Sequence, residues 1–205
     1  MVGLFYNHKG GVGKTTLCSH VAFRAMEKKI QLTVLDADRQ RNTMQYLTEH
    51  SWTGDSTVEL GTVTLTNDKN EVDFTSGKVI IDAPPAFEVL KSFDLNIDKI
   101  FIPVDGRFSG SGAITIVEEV KNVVGDKPEL WIVPNKVFNK SKLSMIEKRE
   151  IRNLGLNMFD FDIPQHEIVR KSEMLGIPTW KIPYGIRSLT VQNLKMFADW
   201  ALKQL

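Results

Sequence analysis

The chain has one cysteine, Cys18, among its 205 residues. A single thiol excludes an internal disulfide and any multi-thiolate metal centre, and Cys18 reads as a small buried apolar residue. His8, His20, His50 and His166 show no metal-ligand spacing. No apolar run approaches the roughly 20 residues that a membrane-spanning helix needs. Low-complexity tracts, internal repeats and long linkers are also missing. Neither sign of charge dominates: 26 basic against 25 acidic side chains leave a net charge of +1. Any surface for a polyanion must therefore come from local clustering. The chain enters an apolar segment and a glycine-rich turn at once, without a signal-peptide pattern, so the expected location is cytoplasmic. What is present is ordinary in bulk, with 42% hydrophobic and 25% charged residues. The length fits one α/β domain over residues 1–205.

Apolar strand-like runs recur at Val2–Tyr6, Leu32–Leu35, Val63–Thr66, Lys78–Ile81, Lys99–Pro103 and Leu130–Pro134. Several are continuous rather than alternating, as strands buried on both faces require. Helical patterns fall between them, at Thr15–Lys28, Asn42–His50, Ser111–Val124 and Ser141–Asn153. This alternation predicts an α/β fold: a three-layer, doubly wound, mostly parallel sheet whose ligands bind at the carboxyl ends of its strands. The polar stretch Asp68–Gly77 predicts a hairpin and an antiparallel edge strand in place of a crossover helix. The last segment, Ser188–Leu205, puts Leu189, Leu194, Phe197, Trp200 and Ala201 on one helical face, predicting a packed terminal helix. The four tryptophans read as packing residues.

Chemistry concentrates at Lys9-Gly10-Gly11-Val12-Gly13-Lys14-Thr15-Thr16, directly after the first apolar run. A strand, a glycine-rich turn and a Lys-Thr helix start make a phosphate-binding loop. Its backbone N–H groups surround oxyanions and the new helix adds its positive end. Lys14 can reach β- and γ-phosphates, and the Thr15 hydroxyl can coordinate Mg²⁺. The spacing departs from the generic loop, for His8 stands where an earlier glycine is usual and a second lysine, Lys9, opens the turn. This variant resembles the deviant phosphate loop of the ParA/MinD family of partition ATPases. The resemblance implies a P-loop NTPase fold with Lys9 reaching across a dimer interface to the partner subunit's nucleotide.

Asp36 and Asp38 follow the second apolar run and, taken alone, read as caps for the next helix. Beside the loop they resemble the family's Asp-x-Asp-Pro-Gln signature. That implies a water-positioning role for Asp38 and a role for Asp36 in supporting the metal's water shell. Arg39 stands where the family usually has proline. Asp82, closing Val79-Ile80-Ile81, can hold Mg²⁺ through a coordinated water; the alternative is a strand-terminal turn before Pro84-Pro85. For the base, Asn135 offers an amide donor and acceptor, unless it is only a turn residue. Ile163-Pro164-Gln165 resembles the family segment that walls adenine. No guanine-binding aspartate follows Lys136, which favours ATP.

The resemblance extends along nearly the whole chain. It implies a slow Mg²⁺-dependent ATPase acting as a switch: an ATP-bound homodimer binds DNA without sequence preference, associates with the nucleoid, and is released by a cargo-bound ParB-like activator. Lys136, Lys140, Lys142, Lys148, Arg149 and Arg152 crowd one region, and Arg170, Lys171 and Arg187 are the expected DNA contacts by position. The same charges read equally as solvated helix faces. Two rivals stand beside this reading. A membrane-cycling relative would end in a basic amphipathic helix, whereas the last turns here carry only Lys203. A biosynthetic ATPase of the same fold would need a substrate pocket opposite the γ-phosphate.

Overall fold

The computed structural model describes residues 1–92, 97–106, 110–137 and 145–205. The start of the predicted Ser141–Asn153 helix lies outside the described residues, as do Lys140, Lys142 and residues 107–109 of the glycine-rich segment.

The predicted apolar runs form six parallel strands: β1 (Val2–Phe5), β2 (Leu32–Asp36), β4 (Val63–Thr66), β5 (Val79–Asp82), β6 (Lys99–Asp105) and β7 (Glu129–Asn135). Two more lie at the edges, β3 (Thr57–Leu60) and β8 (Asn157–Met158). The sheet order is β3-β4-β2-β5-β1-β6-β7-β8, and only β3 runs antiparallel to its neighbour. The antiparallel edge strand thus belongs to a hairpin over Thr57–Thr66. Asp68–Gly77, where it was expected, holds a single 3₁₀ turn at Lys69–Glu71. Thr57-Val-Glu-Leu pairs with Val63-Thr-Leu-Thr because Gly61 supplies the positive φ of 68° that the turn needs.

Helices cover both faces, which gives the three layers. One face carries α1 (Lys14–Lys28), α2 (Asn42–Leu47), α6 (Glu167–Leu175) and α7 (Leu189–Gln204). The other carries α3 (Phe87–Ser92), α4 (Gly110–Val124) and α5 (Met145–Asn153). Strand alternation divides the core between them. Val2, Leu4 and Tyr6 pack under α3 to α5, while Phe5 packs against Phe101 and Phe197 beneath α1 and α7. Gly3 has no room for a side chain, since a Cβ would sit 2.7 Å from the Leu205 side chain.

The terminal helix packs as expected through Leu194, Phe197, Ala198, Ala201 and Leu202. Leu189 is the exception: it is the first residue of the helix and is exposed. Arg24 and Lys28 of α1 both pair with Asp199, tying the helices at their surface. All four tryptophans belong to or pack against the core beneath these helices.

Candidate functional site

The loop between β1 and α1 emerges at the centre of the sheet, with β5 on one side and β6 on the other. Gly11 and Gly13 take left-handed φ angles of 75° and 98°, so the chain coils tightly before α1. Gly13 is doubly constrained, because a Cβ there would stand 2.2 Å from the Asn135 amide nitrogen. Asn7 braces the entrance, accepting from the Lys9 N–H at 2.9 Å and donating to the Pro103 carbonyl at 2.8 Å. The Lys14 ammonium lies inside the coil, donating to the carbonyls of Asn7 at 3.0 Å and Lys9 at 3.4 Å. Burial lowers its pKa; Asp82 and Asp38 oppose that shift.

Strand register sets the carboxylates. Asp36 and Asp82 are Cα partners across β2 and β5, and Asp82 is also level with Phe5 of β1. The Thr15 and Thr43 hydroxyls both donate to Asp82 Oδ2 at 2.7 Å, while buried Oδ1 has no partner among the described residues. Burial raises the Asp82 pKa to about 6, against those two hydrogen bonds. Asp36 accepts from the Met44 N–H at 2.9 Å and the Asp38 N–H at 3.1 Å, so it fixes the start of α2. Burial, followed by the neighbouring Asp82 charge, pushes it to about 7. A cation that replaced these protons would relieve both costs. The orphaned Asp82 oxygen, with the Thr15 hydroxyl on the same carboxylate, fits a hard, oxygen-seeking ion such as Mg²⁺. No cluster of three or more His, Cys, Asp or Glu suited to a metal occurs among the described residues. Such a site would therefore be completed by phosphate oxygens and water.

A cavity of about 350 Å³ opens above the loop, lined by Gly11, Lys14, Thr15, Asp38, Lys136 and Glu173 among others. Asp38 is half-buried on its wall, its carboxylate held by the Gln40 N–H at 3.0 Å. Gly10 and Gly11 are exposed at the mouth, and Val12 is buried beneath. A second cavity of about 130 Å³ adjoins the first through Thr16, Lys136 and Glu173, and Asn135, Pro164 and Arg170 line it. Asn135 donates its amide to the Val12 carbonyl at 2.8 Å, so its nitrogen braces the loop. Pro164 is held by a bridge to Val137 and by the Thr190 hydroxyl on its carbonyl.

Lys9 projects to the loop's outer side, where its Nζ lies 3.6 Å from the buried Asp105 carboxylate. Arg170 and Lys171 are exposed on α6, and Lys171 pairs with Glu167 at 3.3 Å. The exposed Arg187 follows Gly185, which packs so closely on Ile168 of α6 that a Cβ would overlap it. The three cations thus come from adjoining segments. Lys148 and Arg152, from the other basic cluster, are paired with Asp162 and Asp160.

The sequence marks two further residues for no role at this loop: Lys136, read only in the basic cluster and after the Asn135 strand end, and Glu173, which carries no signal. Lys136 reaches back to donate to the Gly11 carbonyl at 2.6 Å, and Glu173 accepts from the Thr16 hydroxyl at 2.7 Å at the junction of the cavities. Glu173 lies in α6, far along the chain from any glycine-rich motif.

The model of the CobQ/CobB/MinD/ParA nucleotide-binding domain matches residues 4–179. No curated protein matches the chain by sequence. Among solved structures, a putative plasmid partition protein of Borrelia burgdorferi bound to AMPPNP aligns at TM-score 0.68 and 14% identity, covering 100% of this chain and 99% of that one. MinD of Pyrococcus horikoshii with Mg-ADP gives 0.69 at 14% identity, covering 99% and 96%. Cobyrinic acid a,c-diamide synthase of Mycobacterium smegmatis, with an ATP analogue and magnesium, gives 0.66 at 17% identity, covering 99% and 94%. At these identities the likeness establishes the fold, whereas the family match spans most of the chain and every residue that lines the cavity above the loop. The chain belongs to the CobQ/CobB/MinD/ParA nucleotide-binding family.

Proposed function

We propose that the protein is a slow Mg²⁺-dependent ATPase of the ParA partition type. Its ATP-bound homodimer binds DNA without sequence preference, and a cargo-bound ParB-like partner triggers its release. The observation that carries this reading is the double-lysine loop, with Lys14 inside the coil and Lys9 at its outer edge. In this reading Lys14 neutralises the β- and γ-phosphates, and loop N–H groups from Gly10 to Thr16 hold their oxygens. Thr15 and Asp82 hold the metal, and Asp36 supports its water shell. Mg²⁺, when bound, supplies charge neutralisation on the phosphates. Asp38 orients the attacking water from the cavity wall. Asn135 and Pro164 flank the base, for which the smaller cavity is the available space. Lys9 leaves Asp105 for the partner subunit's phosphates when two subunits meet face to face, a twofold arrangement in which each completes the other.

DNA contact is assigned to Arg170, Lys171 and Arg187. Phosphate recognition needs clustered cations and no base-reading code. The test is duplex binding by Asp38→Ala, which should slow hydrolysis at least a hundredfold, within the usual range for a group that manages a proton or water. Binding with ATP alone, weakening steeply with salt, is expected. Equal binding with ATP, ADP and no nucleotide would overturn the switch, and no binding in any state would overturn the DNA assignment.

A further inference from the structure

The segment from Ala37 to Asn42 is the wall between two cavities. Asp38, Gln40 and Asn42 face the phosphate cavity, while Ala37, Arg39 and Arg41 face a separate one of about 410 Å³. Lys69, Asn67 and Asn70 close the far side of this second cavity, and Leu35 and Val89 give it apolar walls. Its one carboxylate is Asp68, whose Oδ1 accepts from the Asn70 N–H and side-chain amide, both at 2.9 Å. Arg39, Arg41 and Lys69 form no ion pair among the described residues. Among the described residues the Arg41 guanidinium makes one hydrogen bond, to the Asp36 carbonyl. Three cations against one carboxylate line this concavity and leave it an excess of positive charge, of which Arg41 also acts on the nearby Asp36 carboxylate.

We propose that this second cavity binds an acidic, aliphatic segment of a partner protein. Two arginines can each take a carboxylate through paired N–H groups. The half-buried Ala37 and Val89 surfaces suit an aliphatic side chain beside it. A duplex backbone offers phosphates but nothing for an apolar wall. Arg39 is the residue that departs from the family's usual proline, so the site belongs to this chain. Because Arg39 directly follows Asp38, and Arg41 is bonded to the carbonyl of Asp36, an occupant would hold the back of the loop whose front faces the phosphates. That consequence for hydrolysis rests on the proposed ATPase function; the binding itself does not.

The test uses the full chain without nucleotide and a fluorescein-labelled peptide of alternating aspartate and leucine, followed by anisotropy. The asparagine–leucine peptide and a duplex of about 20 base pairs serve as comparisons. The aspartate peptide should bind more tightly than its asparagine counterpart. It should lose about tenfold or more in affinity to the double variant Arg39→Glu, Lys69→Glu, equivalent to about 1.4 kcal/mol. Arg39→Gln, a milder change of an exposed side chain, should lose less in the same direction, and Lys203→Glu, at an exposed position of the terminal helix, should bind as wild type does. Failure of the peptide to bind, or equal binding by the double variant, would overturn the proposal. Loss of duplex binding in that variant with peptide binding unchanged would reassign the cavity to nucleic acid. Since no ATP is present, a failed ATPase assignment leaves these outcomes unaffected.

Discussion

At the residue scale the site depends on a few atoms with no substitutes. Lys14 is the only lysine inside the loop coil among the described residues, and its ammonium is already spent on backbone carbonyls of that loop. Lys14→Ala should therefore cost at least about a hundredfold in ATP affinity by calorimetry, two or more charge-assisted hydrogen bonds being lost. Unchanged affinity would remove Lys14 from the phosphate site. Gly13→Ala should fail for a different reason. Its φ of 98° suits glycine alone, and the new methyl would collide with the Asn135 amide that holds Val12. Thermal melting should show about 2 kcal/mol or more of lost stability in the apo protein, before any nucleotide is added. The coiled glycine-rich loop was legible because its signal is local: eight consecutive residues form it. Lys136 and Glu173 were not, for each reaches the site only after a strand or helix returns the chain to it.

Among elements, α1 carries the site and His20 ties it to the rest of the fold. The buried ring lies 2.7 Å from the Thr16 carbonyl through Nδ1, which must donate. Nε2 then accepts from the Thr179 N–H and hydroxyl, an assignment that follows from the network. Both contacts require a neutral ring, and burial lowers the His20 pKa to about 4. An unfolded histidine takes its proton near pH 6.5, so the unfolded chain binds more protons between those values. His20 thus contributes stability above pH 6.5 that is lost as pH falls towards 4. Urea unfolding at pH 7 and 4.5 should show wild type losing about 2 kcal/mol more than His20→Gln across that interval. Equal losses would contradict the neutral buried ring.

Phe197 plays the corresponding part for α7, fully buried against Phe5, Phe101 and Phe159. Phe197→Ala should cost about 3–5 kcal/mol in urea unfolding. The central strands were legible in the sequence because burial on both faces leaves continuous apolar runs. The edges were not. β3 has no buried residue on either face, β8 has two residues, and α6 spans nine residues after a turn, too short for a clear helical period. The edge hairpin was expected from the right physics but eleven residues too late, Asp68–Gly77 against Thr57–Thr66, because turn-rich composition marks the later segment as strongly as it does the true turn at Gly61.

For the whole molecule, the proposed switch turns on one lysine with two partners. Within a single chain Lys9 faces Asp105, a buried carboxylate at the end of β6. In the dimer it would face the other subunit's phosphates instead, so ATP, Mg²⁺ and subunit contact would have to act together to move it. The most direct test is light scattering of wild type and Lys9→Ala with Mg-ATP or Mg-ADP, alongside calorimetric ATP binding. The account predicts a wild-type dimer with ATP and a monomer with ADP, and a Lys9→Ala protein that still binds ATP but stays monomeric. A Lys9→Ala dimer as stable as wild type's, or a wild-type protein indifferent to nucleotide, would contradict it.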